Sequence, residues 1–163
     1  MIQRVQSLYL LGVFICSGLL FFTGIASVAT SVHLYNFSIW GLIDVTNGMH
    51  QKVVNTSVLL ISNSIIAALS LFIILRYKNR THQIRLVRFC LLLLVAFAAA
   101  LFFYFENSLS QIVELDNVEN QNAKNVSYAL GSVLPLIAIV FAILAISSIK
   151  KDEKLVRSAD RIR

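Results

Sequence analysis

Charged residues are scarce in this sequence. Only 13% of its 163 residues are Asp, Glu, Lys or Arg, and 58% are hydrophobic, whereas soluble domains carry about a quarter charged residues. Together with a mean hydropathy of +0.78, this excludes an ordinary soluble domain and predicts an integral membrane protein. The net charge of +6 is a sum over unlike regions. We therefore expect the basic residues to set topology and meet lipid headgroups rather than to bind nucleic acid.

Groups that carry chemistry are equally scarce. The four apolar runs defined below contain no Asp, Glu, Lys, Arg or His, the residues that mark proton relays and ion paths inside membranes. The sequence has no GxSxG, HExxH or Walker motif, and Cys16 and Cys90 form no CxxC pair or His/Cys cluster. We therefore predict a protein that is not an enzyme, with no catalytic residues, no cofactor and no metal.

The apolar residues fall into four runs, at about 8–28, 55–75, 89–105 and 126–149. Each approaches the length of roughly 20 residues that a helix needs to cross a bilayer. The chain begins at Met1 and its first run is too long for a signal-peptide core, so we interpret it as an uncleaved span. The fold class predicted from this pattern is an all-α membrane protein, a single domain built as a four-helix bundle.

A basic loop between the second and third runs orients these spans. It carries five cations and no acid; these topology-setting residues are Arg76, Lys78, Arg80, Arg85 and Arg88. Arg4, these five and the six Lys/Arg of residues 150–163 make twelve of fourteen on one side, against Lys52 and Lys124 on the other. Because short basic loops stay in the cytoplasm, we predict that both termini are cytoplasmic and that 150–163 forms a basic helical tail.

The loop at residues 29–54 is predicted to lie outside the membrane as a small sheet of two or three strands. His33, Tyr35, Phe37 and Ile39 would share one face of a strand, and the residues that alternate with them would share the other. Asn47-Gly48 is typical of a type I′ hairpin turn. We expect Trp40 and Tyr35 at headgroup level, and Asp44 near His50 across the hairpin as a structural pair.

Small and polar residues in the spans indicate close helix contacts. Gly12 and Cys16 form a small-xxx-small pair on the first span, and Asn63 and Ser70 are polar positions on the second. Two interpretations of Asn63 stay open, an interhelical hydrogen bond or a substrate contact. Pro135 is expected to kink the fourth span, because its ring clashes with the carbonyl of Gly131 four residues earlier.

Two stretches carry a family resemblance. The opening Met1-Ile2-Gln3-Arg4-Val5-Gln6-Ser7-Leu8-Tyr9-Leu10 and the closing residues 151–163 resemble a small four-span family of Bacteroidota classed as a domain of unknown function. The resemblance covers the whole chain; it implies a bacterial inner membrane and carries over no catalytic residues. Trp40-Gly41-Leu42 is similar to the W-GL sequence in the first outer loop of claudin-like four-helix proteins. The two cysteines that follow it there are absent here, so this likeness implies architecture only.

Two functions remain in view. The first is a non-enzymatic accessory or scaffold subunit of a larger membrane complex, with membrane lipids and other membrane subunits as partners. Its contacts would involve part of the face that carries Asn63 and Ser70, or the face that carries Gly12, and would be extended beyond the bilayer by Trp40, Phe37 and the basic tail. The alternative is a small transporter or lipid-handling protein, which the polar second span and Pro135 would suit.

Overall fold

Helices make up most of the structure. The computed structural model describes residues 3–30, 33–46, 51–76, 80–115 and 125–160. The helices in this part of the chain are α1 (Gln3–Leu19), α2 (Ser57–Leu75), α3 (Arg80–Leu115) and α4 (Leu134–Asp160). The strands are β1 (Ala26–Ala29), β2 (Leu34–Ser38), β3 (Gly41–Asp44), β4 (Gln51–Val54) and β5 (Asn125–Tyr128). A short 3-10 turn at Leu130–Ser132 precedes α4.

Among the described residues, three segments are long and apolar enough to cross a membrane, namely Ser57–Leu75, His82–Val113 and Leu130–Asp152. α2 agrees closely with the predicted span at 55–75. The first apolar helix is shorter, at Gln6–Leu19. The predicted first span at 8–28 is wrong in its second half, because α1 ends at Leu19 and residues 26–29 form β1.

The start of the predicted fourth span is also wrong. Residues 125–128 form β5, and α4 begins only at Leu134. Pro135 therefore lies in the first turn of α4, where a missing N–H costs no helical hydrogen bond. The expected kink between Gly131 and Pro135 does not arise. Beyond 149 the helix continues to Asp160, in agreement with the predicted helical tail.

The sheet is larger than the sequence suggested. Its five strands are antiparallel in the order β4-β3-β2-β1-β5. Tyr35 and Phe37 on β2 are buried while Leu34 and Asn36 are exposed, as the alternation predicted. Asn47-Gly48 and His50 lie outside the described residues, so the predicted turn and the Asp44–His50 pair stay predictions.

The helices pack side by side below the sheet. α1 contacts both α2 and α4, and α3 contacts the same two helices. We call the end where α1 stops and α2 and α4 begin the sheet end, and the end near Arg76 and Arg80 the basic end. At 36 residues, α3 is about 54 Å long, well beyond the ~30 Å hydrocarbon core of a bilayer.

Candidate functional site

The inner face of the sheet packs against the sheet end of α3. Register pairs place Tyr128, Ala26, Phe37, Leu42 and Val54 in one row across all five strands. The Phe105 ring of α3 lies 5.5 Å from that of Phe37 and 5.9 Å from that of Tyr128. Phe37 is fully buried in this contact. The expectation that Phe37 extends a partner contact outside the bilayer is therefore wrong.

The tripeptide Trp40-Gly41-Leu42 runs from the turn after β2 into β3, and each of its residues has a distinct structural role. The indole Nε1 of Trp40 donates a hydrogen bond to the Phe21 carbonyl (2.9 Å), and the two rings meet edge to face. Gly41 has φ +145°, and a Cβ there would lie 2.7 Å from the Val54 carbonyl oxygen. Leu42 is fully buried. The tripeptide thus fastens the sheet to the end of α1, while about half of Trp40 stays exposed.

Asn63 completes the carboxyl end of α1. The last carbonyls of a helix lack partners within it. Here Cys16, Gly18 and Leu19 accept bonds from the turn that follows, and the Asn63 amide Nδ2 donates to the remaining carbonyl, that of Ser17, at 3.0 Å. Asn63 is 1% exposed. Of the two interpretations of this residue, the structure shows the interhelical hydrogen bond.

The other polar and small positions also face inward. A Cβ on Gly12 would lie 2.9 Å from the Phe141 ring of α4. Cys16 and Ser70 are buried, and the Ser70 hydroxyl donates to the Ala67 carbonyl of its own helix. The interpretation that the faces carrying Gly12, Asn63 and Ser70 meet another subunit is therefore wrong, because this chain's own helices cover these residues.

Gly131 has a packing role in place of the expected kink. Its N–H donates to the Gly24 carbonyl at 3.1 Å, and a Cβ at this position would collide with the same carbonyl. The 3-10 turn is thereby held against the segment between α1 and β1. Ala129 N–H donates to the Ile25 carbonyl beside it, so the pairing of β5 with the β1 side continues into the 3-10 turn.

Asp44 closes the far end of the β2–β3 pair. Its Oδ1 accepts a bond from the Thr46 N–H, and its Oδ2 lies 3.1 Å from Nδ1 of His33. Hydrogen bonding from Thr46, reinforced by His33, holds the pKa of Asp44 below its usual value. In the described part of the chain, no three His, Cys, Asp or Glu residues come together as a metal site would require.

The outer face of the sheet is open and carries little charge. A second row crosses all five strands and consists of Ser127, Ser27, Asn36, Ile43 and Lys52. Only Lys52 at its margin is charged, and Lys52 lies over Gly41. Asn36 in the middle of the row is exposed. Ser127 and Lys52 at its two ends are exposed as well.

A groove opens below the β1–β5 edge, between α3 and α4. Its volume is about 160 Å³. Ala26 and Tyr128 form its roof; the walls include Ala98, Leu101 and Phe105 of α3 and Leu136 of α4. The Ser132 hydroxyl at its margin already donates to the Ala129 carbonyl. Apolar side chains therefore dominate this surface.

The basic end differs in character. Arg76, Arg85 and Arg88 are exposed there, and Arg76 lies over the Phe72 ring. Lys78 lies outside the described residues. Gln6 of α1 donates a hydrogen bond to the buried carboxylate of Asp152 on α4, which ties the first helix to the last. The sequence drew attention to the cations and missed this pair, because no local pattern links residues so far apart.

Comparison with known proteins assigns the chain to a family. Among curated proteins, none matches this sequence. The family model described as a domain of unknown function, DUF4293, matches residues 2–162, and the chain therefore belongs to this family.

Proposed function

We propose that this chain is a non-enzymatic protein of the bacterial inner membrane that crosses the bilayer four times, with both termini in the cytoplasm. Three long apolar helices support the membrane placement. α1 supports the fourth crossing, since it packs along α2 and α4 and its final carbonyls are all satisfied, as apolar surroundings require. The cations support the orientation: of fourteen Lys/Arg, only Lys52 and Lys124 belong to the segments on the sheet side.

Cysteine labelling tests this threading. In a variant with Cys16 and Cys90 replaced by Ala, single cysteines replace the exposed residues Asn36 on the sheet and Lys151 on α4. A membrane-impermeant maleimide should label Asn36→Cys in intact cells, and Lys151→Cys only after permeabilisation. Labelling of Lys151→Cys in intact cells would contradict the orientation.

Within that membrane, the chain acts as an accessory subunit that presents its sheet to a partner. The observation that carries this proposal is the outer row of the sheet. Protein interfaces are depleted of charge at their centre, and this row carries no charge except at Lys52. The sheet is also held rigidly, because Phe105 and the Trp40 contact fix it to the helices. A rigid, charge-poor surface outside the bilayer favours a partner protein that binds to the outer face of the sheet.

Site-specific crosslinking tests the accessory role. A photoreactive amino acid placed at Asn36 should give one crosslinked species of constant mass in native membranes. The control is the same probe at Ser110, which is exposed on α3 on the same side and lies outside the row. Asn36→Arg should abolish co-purification of that species in mild detergent without lowering the melting temperature. Equal crosslinking from both positions, or none from either, would overturn the accessory role and leave the threading intact.

A further inference from the structure

We propose that the groove between α3, α4 and the β1–β5 edge binds one acyl chain of a phospholipid from the leaflet on the sheet side. The inference rests on the membrane placement proposed above, and it is independent of the accessory role. Its basis is the depth of the groove, the chemistry of its walls and the direction in which it opens.

The depth can be measured along two helices. Arg88 on α3 and Lys150 on α4 are exposed charged residues at the basic end and mark one edge of the hydrocarbon core. At a rise of about 1.5 Å per residue, Ala98 to Phe105 lie roughly 15–26 Å above Arg88. By the same rise, Leu136 lies about 21 Å above Lys150. Both estimates place the groove in the half of a ~30 Å hydrocarbon core that adjoins the sheet.

The walls select against a polar occupant. Aliphatic and aromatic side chains form nearly all of the surface, and two polar groups beside it are paired: the Ser132 hydroxyl with the Ala129 carbonyl, and the Gly131 N–H with the Gly24 carbonyl. An apolar cavity of about 150 Å³ stays dry and accepts a benzene-sized group. A groove of about 160 Å³ therefore accommodates a segment of hydrocarbon chain, not a whole lipid.

The opening faces the surrounding lipid. Phe102 and Leu136 line the groove, and yet 68% and 58% of their surfaces are exposed on the outside of the helices. Tyr128 overhangs from the edge strand and is 70% exposed. A chain can thus enter sideways between α3 and α4, pass below the ring of Tyr128, and keep its headgroup at the level of the sheet, where amphipathic rings such as Tyr are favoured.

Two neighbouring alanines on α3 provide a matched test. Ala98 lines the groove, whereas Ala99 is exposed on the outside of the same helix. Ala98→Phe fills the groove; Ala99→Phe adds the same ring where it meets only fluid lipid. Each variant is first placed in nanodiscs of phosphatidylethanolamine and phosphatidylglycerol, and it is then purified from them in mild detergent. Native mass spectrometry then counts the lipids retained at one fixed collision energy.

Wild type and Ala99→Phe should retain one phospholipid that Ala98→Phe loses. Addition of phosphatidylglycerol should raise the melting temperature of the first two proteins and leave that of Ala98→Phe unchanged. If Ala98→Phe does not fold, Ala98→Leu fills less of the groove and should lose at least half of the retained lipid.

Equal retention by both alanine variants would overturn the proposal. So would a dimer of this chain that Ala98→Phe dissociates, because a second copy would then occupy the groove. Neither of these two outcomes would affect the cysteine-labelling result, which tests the membrane placement separately.

Discussion

Single residues determine how closely the sheet approaches its neighbours. Gly41 is the clearest example, since it combines a left-handed φ of +145° with a Cβ position only 2.7 Å from the Val54 carbonyl oxygen and 2.7 Å from the Lys52 side chain. A side chain there must strain the backbone and push β4 away from β3. The W-GL sequence around Gly41 thus has a mechanical explanation that requires no shared function with other proteins.

Gly41→Ala should destabilise the protein by about 1–3 kcal/mol, the usual cost of a residue held in a sparsely populated backbone conformation. The measurement is thermal unfolding in detergent. Gly18→Ala is the control, because Gly18 lies in α1 with nothing within 4 Å of its Cβ position, and replacement there should be neutral or stabilise by up to about 1 kcal/mol. An unchanged melting temperature for Gly41→Ala would contradict the strain argument.

Asp44 gives the sheet a dependence on pH. Its folded-state pKa is lowered, chiefly by the Thr46 hydrogen bonds, so the ionised carboxylate stabilises the folded state above the ordinary pKa of about 3.9. This contribution is lost as the pH falls through the lowered pKa. The difference in melting temperature between wild type and Asp44→Asn should shrink as the pH falls below about 4. A difference that widens in acid would refute this assignment.

Among the secondary-structure elements, α1 needs a side chain of α2 to satisfy the carbonyl groups at its carboxyl end. Asn63→Ala removes the amide that satisfies the Ser17 carbonyl, and such interhelical bonds contribute about 0.6 and at most about 1.7 kcal/mol in membranes. Hydrogen exchange at Leu20 to Thr23 should quicken as the end of α1 frays. Ser62→Ala is the matched control, because the Ser62 hydroxyl bonds within its own helix to Leu59. Equal exchange in the two variants would show that Asn63 does not hold this end.

The attachment of the sheet to α3 depends on Phe105. Phe105→Ala removes the ring between Phe37 and Tyr128 and should cost about 3–5 kcal/mol. Exchange should accelerate across β2 and β5 and change little in the helices at the basic end. Phe103, two residues away and 74% exposed, provides the comparison: Phe103→Ala should leave both stability and exchange near those of wild type. A similar loss in the two variants would mean that the sheet has another support.

Hydropathy and residue alternation predicted correctly those helices and strands that form one continuous pattern in the sequence. The run at 55–75 predicts α2, and the alternation around Tyr35 and Phe37 predicts the buried face of β2. β1 and β5 were missed, because a short strand next to an apolar helix is absorbed into the hydropathic run of that helix. Their pairing joins residues that lie about a hundred positions apart in the sequence, which no local signal reveals. Asn63 could be singled out as a buried amide, but its partner depends on where α1 ends.

At the scale of the whole molecule, the helix faces that were expected to bind partners pack against other helices of the same chain. Gly12→Leu should lower the melting temperature markedly, because the new side chain meets the Phe141 ring. The mass of the assembly, measured by native mass spectrometry, should stay unchanged. Gly18→Leu introduces the same side chain where there is open space and should be tolerated. A change in native mass for Gly12→Leu with unaltered stability would restore the partner interpretation of this face.

The pairing of β1 with β5 also sets an order of events during synthesis. Ribosomes add about 5–20 residues per second, so roughly 5–20 seconds separate Ala29 from its partner Asn125. During that interval β1 has one unpaired edge and α1 lacks the Phe141 contact on α4. A nascent chain in this state exposes hydrogen-bonding groups that neighbouring chains could capture. The synthesis of β5 and then of α4 therefore ends the period in which β1 and α1 are vulnerable.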